Sequence, residues 1–170
     1  MANEIFRSLD IQIQNSQREI EYFTKNNYLY LENIKLQYLK SLVLLIVSEY
    51  EIIIERLFYL RASECKDVTI ANFVKVQMNQ IFRSPDMSKI TKILKMFDEK
   101  LFDTFHNKIK NKSVFTVWDN LVKTRHNIVH RLGTLNMTYE ELIASYPKTK
   151  EVIFALVFTL GLDVKKYTSV

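Results

Sequence analysis

The fold is decided by residues 39–60, which read LKSLVLLIVSEYEIIIERLFYL. Apolar side chains recur there at the three- and four-residue spacing of a helix, and in the middle of the stretch they point to nearly every side. A helix that is apolar all round must be covered on several sides, because apolar surface is driven out of water. The stretch therefore predicts a long central helix, over about residues 31–64, with other helices packed around it.

Residues that interrupt helices are scarce in this chain. Its 170 residues include two glycines and two prolines, which leaves little material for the tight turns that sheets need. Long helical patterns fill most of the remaining sequence. Besides the central helix, these patterns cover about residues 4–24, 67–82, 85–110, 114–132 and 147–160.

Capping and breaking residues indicate where these helices begin and end. Pro85 is expected at the first position of its helix, where its missing N–H costs nothing, and a break near Asp98 would divide that helix. Thr138 and Glu141 form a capping-box pattern that begins a short turn, and Pro147 begins the final helix. We therefore predict an all-α fold, a compact bundle of about five to seven helices with one long central helix.

Length and composition are those of a soluble protein with a single domain, residues 1–170. Hydrophobic residues make up 48% of the chain and charged residues 25%, which is ordinary for a globular protein. The uninterrupted apolar run at residues 42–47 is far shorter than the roughly 20 residues of a membrane-spanning helix. Cys65 is the single cysteine and is typical of a reducing compartment. We expect a cytoplasmic protein with no membrane partner.

Positive charge is concentrated in one segment. The chain has a net charge of +5, and residues 106–131 alone carry six lysines and arginines against one aspartate. Such a basic field suits a polyanion such as nucleic acid, although a solvated lysine-rich loop would serve solubility equally well. The cations in this segment are Lys108, Lys110, Lys112, Lys123, Arg125 and Arg131.

Within that segment, residues 125–130 read RHNIVH and hold two of the three histidines of the chain. On a helical wheel Arg125 falls in the middle of the apolar arc. An unpaired buried charge is costly, so the guanidinium needs either a ligand or a carboxylate partner. Glu49, Glu51 and Glu55 of the central helix are the candidate partners.

The residue types at 125–130 are sufficient for cleaving RNA without a metal or other cofactor. Histidine takes or gives a proton near neutral pH, and arginine grips two phosphate oxygens. A base that removes the proton from a ribose 2′-OH starts attack on the adjacent phosphate, and an acid protonates the leaving 5′ oxygen. The product is a 2′,3′-cyclic phosphate, and DNA, which lacks the hydroxyl, is resistant. His126 and His130 also have the i, i+4 spacing of a zinc pair, but a third ligand is missing from the pattern.

Arg125 and His130 resemble the Rx4–6H motif of the HEPN superfamily of small helical ribonucleases, in which a polar residue, here His126, commonly follows the arginine. The context is similar too, since residues 118–123, WDNLVK, lead into the motif, and a glycine, a capped turn and an apolar helix follow it. Residues 50–55, YEIIIE, resemble the central helix of the family. The resemblance covers about residues 30–162.

The resemblance implies a homodimer in which two copies of the motif face each other across a cleft and form one ribonuclease site. Arg125 would hold the scissile phosphate, His130 would transfer a proton, and His126 would be an auxiliary polar group. Many family members are toxins or antiviral defence effectors, restrained by a nucleotidyltransferase-like antitoxin or a larger partner. Arg131 departs from the small residue that commonly follows the motif histidine. The residues expected to bind RNA are Lys123, Asn127, Arg131, Lys108, Lys110 and Lys112.

Two alternatives remain open: a non-catalytic HEPN-like module that binds RNA, a nucleotide or a protein, and a helical adaptor without a nucleic-acid role. Geometry poses a further question. Five residues on a straight helix turn about 140° and rise roughly 7.5 Å, so Arg125 and His130 should diverge. A distorted helix, an arginine that reaches round, or a second subunit would each bring them together.

Overall fold

The computed structural model describes residues 5–82, 84–109, 113–130 and 135–163, with Ile81 described for its backbone alone. Those ranges contain helices and no β-strand, which confirms the all-α prediction. The seven helices found in them are α1 (Arg7–Lys25), α2 (Leu31–Ser63), α3 (Val68–Ile81), α4 (Met87–Phe97), α5 (Glu99–Lys108), α6 (Ser113–Val129) and α7 (Tyr139–Thr159).

Helix α2 is the centre of the bundle, as its sequence predicts. Its 33 residues make it about 50 Å long, and α1, α3, α6 and α7 all pack against it. The short helices α4 and α5 contact each other and lie against α6 and α7 respectively. The core therefore runs along α2, and every longer helix buries its apolar face there.

The deepest part of the core joins α2 to α6 and α7 through two aromatic rings. Tyr50 and Trp118 are fully buried and stack with their ring centroids 5.0 Å apart and their planes 5° from parallel. The Tyr50 hydroxyl shares a hydrogen bond of 2.7 Å with Thr149 Oγ1 on α7. Trp118 Nε1 donates to the Pro85 carbonyl at 2.6 Å. Both buried polar atoms are satisfied, so the stack holds three helices and the loop before α4 in register.

Helix α7 differs from its prediction, because it runs without interruption from Tyr139 to Thr159 and includes Pro147. The capping box at Thr138 and Glu141 is confirmed, but it begins this long helix and not a separate turn. A proline inside a helix leaves the carbonyl four residues earlier without its usual donor. Burial of Tyr146 and Thr149 on either side of Pro147 offsets this loss by holding the helix against the core.

One other helix boundary was predicted incorrectly, and one was predicted correctly. Pro85 lies before α4, whose N-cap is Asp86, and its carbonyl accepts a hydrogen bond from Trp118. Helix α6 is described to Val129, and its expected end at residue 132 lies outside the described residues. The break at Asp98 is confirmed, since this residue ends α4 and its carboxylate accepts a hydrogen bond from the Lys100 amide at 2.9 Å, which caps α5.

Within the part of the chain that the structure covers, none of the helices combines the length and the apolar character needed to cross a membrane.

Replacing Trp118 by phenylalanine should lower the free energy of unfolding by about 1–3 kcal/mol. The Pro85 carbonyl would lose its donor in a buried place, and the smaller ring would leave a gap beside Tyr50. Urea denaturation followed by circular dichroism measures the change, because the variant lacks the only tryptophan. The exposed Phe73 is the control site, where Phe73→Leu should change the free energy of unfolding by less than about 0.5 kcal/mol. Equal stability of Trp118→Phe and the wild type would contradict the role of the stack.

Candidate functional site

The last turns of α6 carry the residues that the sequence predicts for the site. Lys123, His126 and His130 are exposed, and Asn127 is half-buried. His130 is the residue just after the helix, but its amide still donates to the His126 carbonyl at 3.0 Å, which continues the helical hydrogen bonding. The backbone therefore presents this end of α6 as a regular, solvent-facing surface.

The two histidines of the motif form a contact pair. Their ring centroids are 4.3 Å apart and their planes are inclined by 48°, as the i, i+4 spacing on one helix face allows. Lys123 lies one turn earlier on the same face. We call Lys123, His126 and His130 the histidine ridge. It offers two groups suited to proton transfer and one cation, all accessible to a large substrate.

Arg125 is turned away from the histidine ridge and toward α2. Its Nη2 lies 3.8 Å from Glu51 Oε1, and the two side chains are 26% and 20% exposed. That distance is within reach of an ion pair but beyond a hydrogen bond. Glu51 Oε1 is itself buried and has no hydrogen-bond partner among the described residues. Of the three carboxylates considered from the sequence, Glu51 is thus the one beside Arg125, and the contact is loose.

Burial dominates the electrostatics around this ion pair. The pKa of the Glu51 carboxyl is raised because burial disfavours its charged form, while the Arg125 charge opposes the shift. Burial likewise raises the pKa of Glu55 on the next turn of α2. The pKa of Asp119 on α6 is raised by burial and by the nearby Asp86. Arg125 therefore faces a partly buried carboxyl group on α2, and not the open basic field predicted for the segment as a whole.

Of the other cations in the predicted RNA-binding set, Lys108 is the one that the structure describes. Lys108 Nζ lies over the Phe158 ring on α7, 3.8 Å from its centroid, a cation–π contact between α5 and α7. Lys110, Lys112 and Arg131 fall outside the described residues. The third histidine, His106, lies between the rings of Phe102 and Phe115, with centroid distances of 5.7 and 5.4 Å.

Sequence reasoning missed a cleft beside the histidine ridge. It has a volume of about 890 Å³ and lies between the first half of α2, the end of α6 and the beginning of α7. Asn127 and Ile128 form the α6 wall, and Lys35 and Leu39 belong to the α2 wall. Because these walls are far apart in the chain, no local motif signals the cleft. Within the same described ranges, no group of three or more histidine, cysteine or acidic side chains is arranged to hold a metal ion.

Comparisons of the chain with protein-family models, with curated proteins and with solved structures find no match. The HEPN resemblance therefore stays a prediction from the motif and its context. What the end of α6 does must be inferred from its own residues.

Replacing Arg125 by alanine should lower the free energy of unfolding by about 1–2 kcal/mol at pH 7.5. The half-buried Glu51 carboxylate would lose its counter-charge there. Since the pKa of Glu51 is raised, the carboxyl is largely neutral at about pH 4, and the loss of Arg125 should cost less. Urea denaturation of both proteins at the two pH values gives the difference.

Lys123→Ala is the control for this experiment, because it removes an exposed cation two residues earlier in the same helix. Its effect should be small and should not differ between the two pH values. A penalty for Arg125→Ala that is as large at about pH 4 as at pH 7.5 would mean that Glu51 is not the partner of Arg125.

Proposed function

We propose that this protein is a metal-independent endoribonuclease of the HEPN type, which acts in the cytoplasm as a toxin or antiviral defence effector. The observation that carries the proposal is the histidine ridge: two exposed imidazoles in contact, with a lysine beside them, next to an arginine in the sequence. Proton transfer at neutral pH and phosphate binding are the two capacities that RNA cleavage through the 2′-OH requires.

In the proposed reaction one imidazole accepts the proton of the ribose 2′-OH as the 2′ oxygen attacks phosphorus. The bond between phosphorus and the 5′ oxygen breaks, and a protonated group gives its proton to that oxygen. His130 is the proposed proton-transfer residue, and His126, in contact with its ring, is the auxiliary group. Lys123 is placed to attract the phosphate backbone, because its ammonium group is exposed on the same face.

Arg125 is proposed to act on a phosphate bound with a second copy of the chain. Within one chain its guanidinium faces Glu51, while His130 faces solvent. Pairing two chains through the ends of α6 would place Arg125 of one copy beside His130 of the other. Val129, exposed between them on the helix surface, is suited to such an interface. A phosphate can accept two hydrogen bonds from the guanidinium group of Arg125. Glu51, at 3.8 Å, accepts none.

Partners of the proposed enzyme follow from the same resemblance: RNA as substrate, a second copy of the chain, and a nucleotidyltransferase-like antitoxin or a larger defence protein that restrains the activity. The alternative is a non-catalytic HEPN-like module that binds RNA, a nucleotide or a protein partner. The ion pair between Arg125 and Glu51 favours this alternative, because it already gives the arginine a structural role. Binding of RNA without cleavage would distinguish the alternative from the enzyme.

The proposed activity predicts that His130→Ala and Arg125→Ala each abolish cleavage of single-stranded RNA. The first removes the proton-transfer group and the second removes the phosphate ligand. Purified wild-type protein should cut a defined RNA and leave the matched DNA intact, and mass spectrometry should find 2′,3′-cyclic phosphate ends. EDTA should have no effect on the rate.

His106→Ala is the matched control for these variants, since it removes the histidine that lies between Phe102 and Phe115 and not on the ridge. Its cleavage rate should stay within about twofold of the wild type. Undiminished cleavage by both His130→Ala and Arg125→Ala, with helical circular dichroism spectra, would refute the assignment. Strong inhibition by EDTA would indicate a metal-dependent reaction.

A site shared between subunits predicts that two inactive variants restore activity when mixed. Random exchange of Arg125→Ala and His130→Ala chains makes half of the dimers mixed. Each mixed dimer holds one intact cross-subunit pair out of two, so about a quarter of the wild-type activity should return. Co-refolding the variants before the assay ensures exchange. No recovery from a mixture that native mass spectrometry shows to contain mixed dimers would mean that the two residues act within one chain.

A further inference from the structure

The cleft beside the histidine ridge is placed to receive a part of the RNA that the ridge does not contact. Asn127 lines the cleft and is three residues before His130, which puts it about 60° round α6 and roughly 4.5 Å along the helix axis. A ligand in the cleft and a phosphate at His130 would therefore be neighbours on the same strand. The volume of about 890 Å³ lies within the roughly 300–1,000 Å³ usual for ligand sites.

The walls of the cleft are largely apolar where they are deepest. Leu39 and Met137 are buried side chains of the cleft wall, and Ile128 is half-buried. Tyr139 closes the α7 side, and its hydroxyl is held by a hydrogen bond of 2.9 Å with Ser16 Oγ. Such fixed apolar surfaces suit a flat, weakly hydrated group, because they cover its faces without needing hydrogen bonds from it.

The charges at the mouth of the cleft do not suit a phosphate. Lys35 Nζ lies 2.7 Å from Glu140 Oε1 and 3.0 Å from Glu32 Oε1, so its positive charge is shared between two carboxylates. These contacts raise the pKa of Lys35 and keep it charged. With Lys40 on the same wall, two cations balance two anions. The mouth of the cleft therefore has no net positive charge to attract a phosphate, but it can admit a neutral ligand.

We propose that this cleft binds one unpaired nucleobase of the RNA, next to the phosphodiester that lies at the histidine ridge. The Asn127 carboxamide, which has both a donor and an acceptor, pairs with the edge of the base, while Leu36 and Ile128 contact its faces. The inference rests on the proposed function for the position of the phosphate. It makes the protein selective for single-stranded RNA, because a base held in a duplex is not free to enter the cleft.

The test measures binding of labelled single-stranded RNA to His130→Ala, the variant that is proposed not to cleave. In that background Leu36→Trp fills the cleft from a position that is 39% exposed, so the new ring need not enter the core. Leu29→Trp is the matched control, since Leu29 is 84% exposed in the turn before α2 and is not part of the cleft wall. We expect Leu36→Trp to weaken binding at least tenfold and Leu29→Trp to leave it within twofold.

Four RNAs that differ in the base 3′ or 5′ to the cleavage position test the role of Asn127. Asn127→Ala should reduce the differences in affinity among these four RNAs. In a separate comparison, duplex RNA should bind more weakly than single-stranded RNA to His130→Ala. Equal affinities for Leu36→Trp and Leu29→Trp would overturn the proposal. So would equal affinities for duplex and single-stranded RNA.

Failure of this proposal and failure of the ribonuclease proposal give different results. Cleavage by the wild type, together with undiminished binding by Leu36→Trp, overturns the base-binding cleft alone. Weakened binding by Leu36→Trp, without any cleavage by the wild type, supports the cleft and overturns the enzyme. No binding of RNA by any variant at low salt overturns both.

Discussion

The stacked rings of Tyr50 and Trp118 fix the position of α6 on the central helix, and the rest of the candidate site depends on that position. The pair buries two large aromatic side chains whose polar atoms are both hydrogen-bonded. It therefore stabilises the observed register of α2, α6 and α7 relative to shifted registers. With α6 held in this way, Arg125 reaches Glu51 and the two motif histidines reach solvent. The chemistry at the end of α6 is therefore set by packing two turns away.

The fold was largely predictable from the sequence, because hydrophobic periodicity and scarce breakers are local signals. The central helix was predicted to within one residue at its end, and the Thr138 capping box marked the start of α7. The prediction that a helix begins at Pro147 was wrong because the outcome there depends on tertiary packing. Burial of the residues around Pro147 offsets its effect on the helix, and this burial depends on which helices pack together.

The sequence indicates candidate site residues, whose roles stay a prediction, but it does not indicate how most of them are arranged in space. The i, i+4 spacing of His126 and His130 predicted that they share one helix face. The helical wheel predicted that the Arg125 and His130 side chains point in different directions. Which of three glutamates lies beside Arg125 depends on the register of α6 against α2, and this register is a product of tertiary packing. The cleft could not be predicted from local sequence, because its α2 wall is about a hundred positions away in the chain from its α6 and α7 walls.

The Glu51 oxygen that accepts no hydrogen bond from the described residues bears on how residue 51 would change under selection. A half-buried carboxylate with a loose ion pair is a poor choice for stability, and an amide or an apolar side chain of similar size would suit that place better. Drift under selection for folding alone should therefore remove it. If homologous proteins that keep Arg125 also keep an acidic residue at 51, selection acts to maintain an arginine that can leave Glu51 and bind another ligand. If both residues are lost together, selection acts on folding alone.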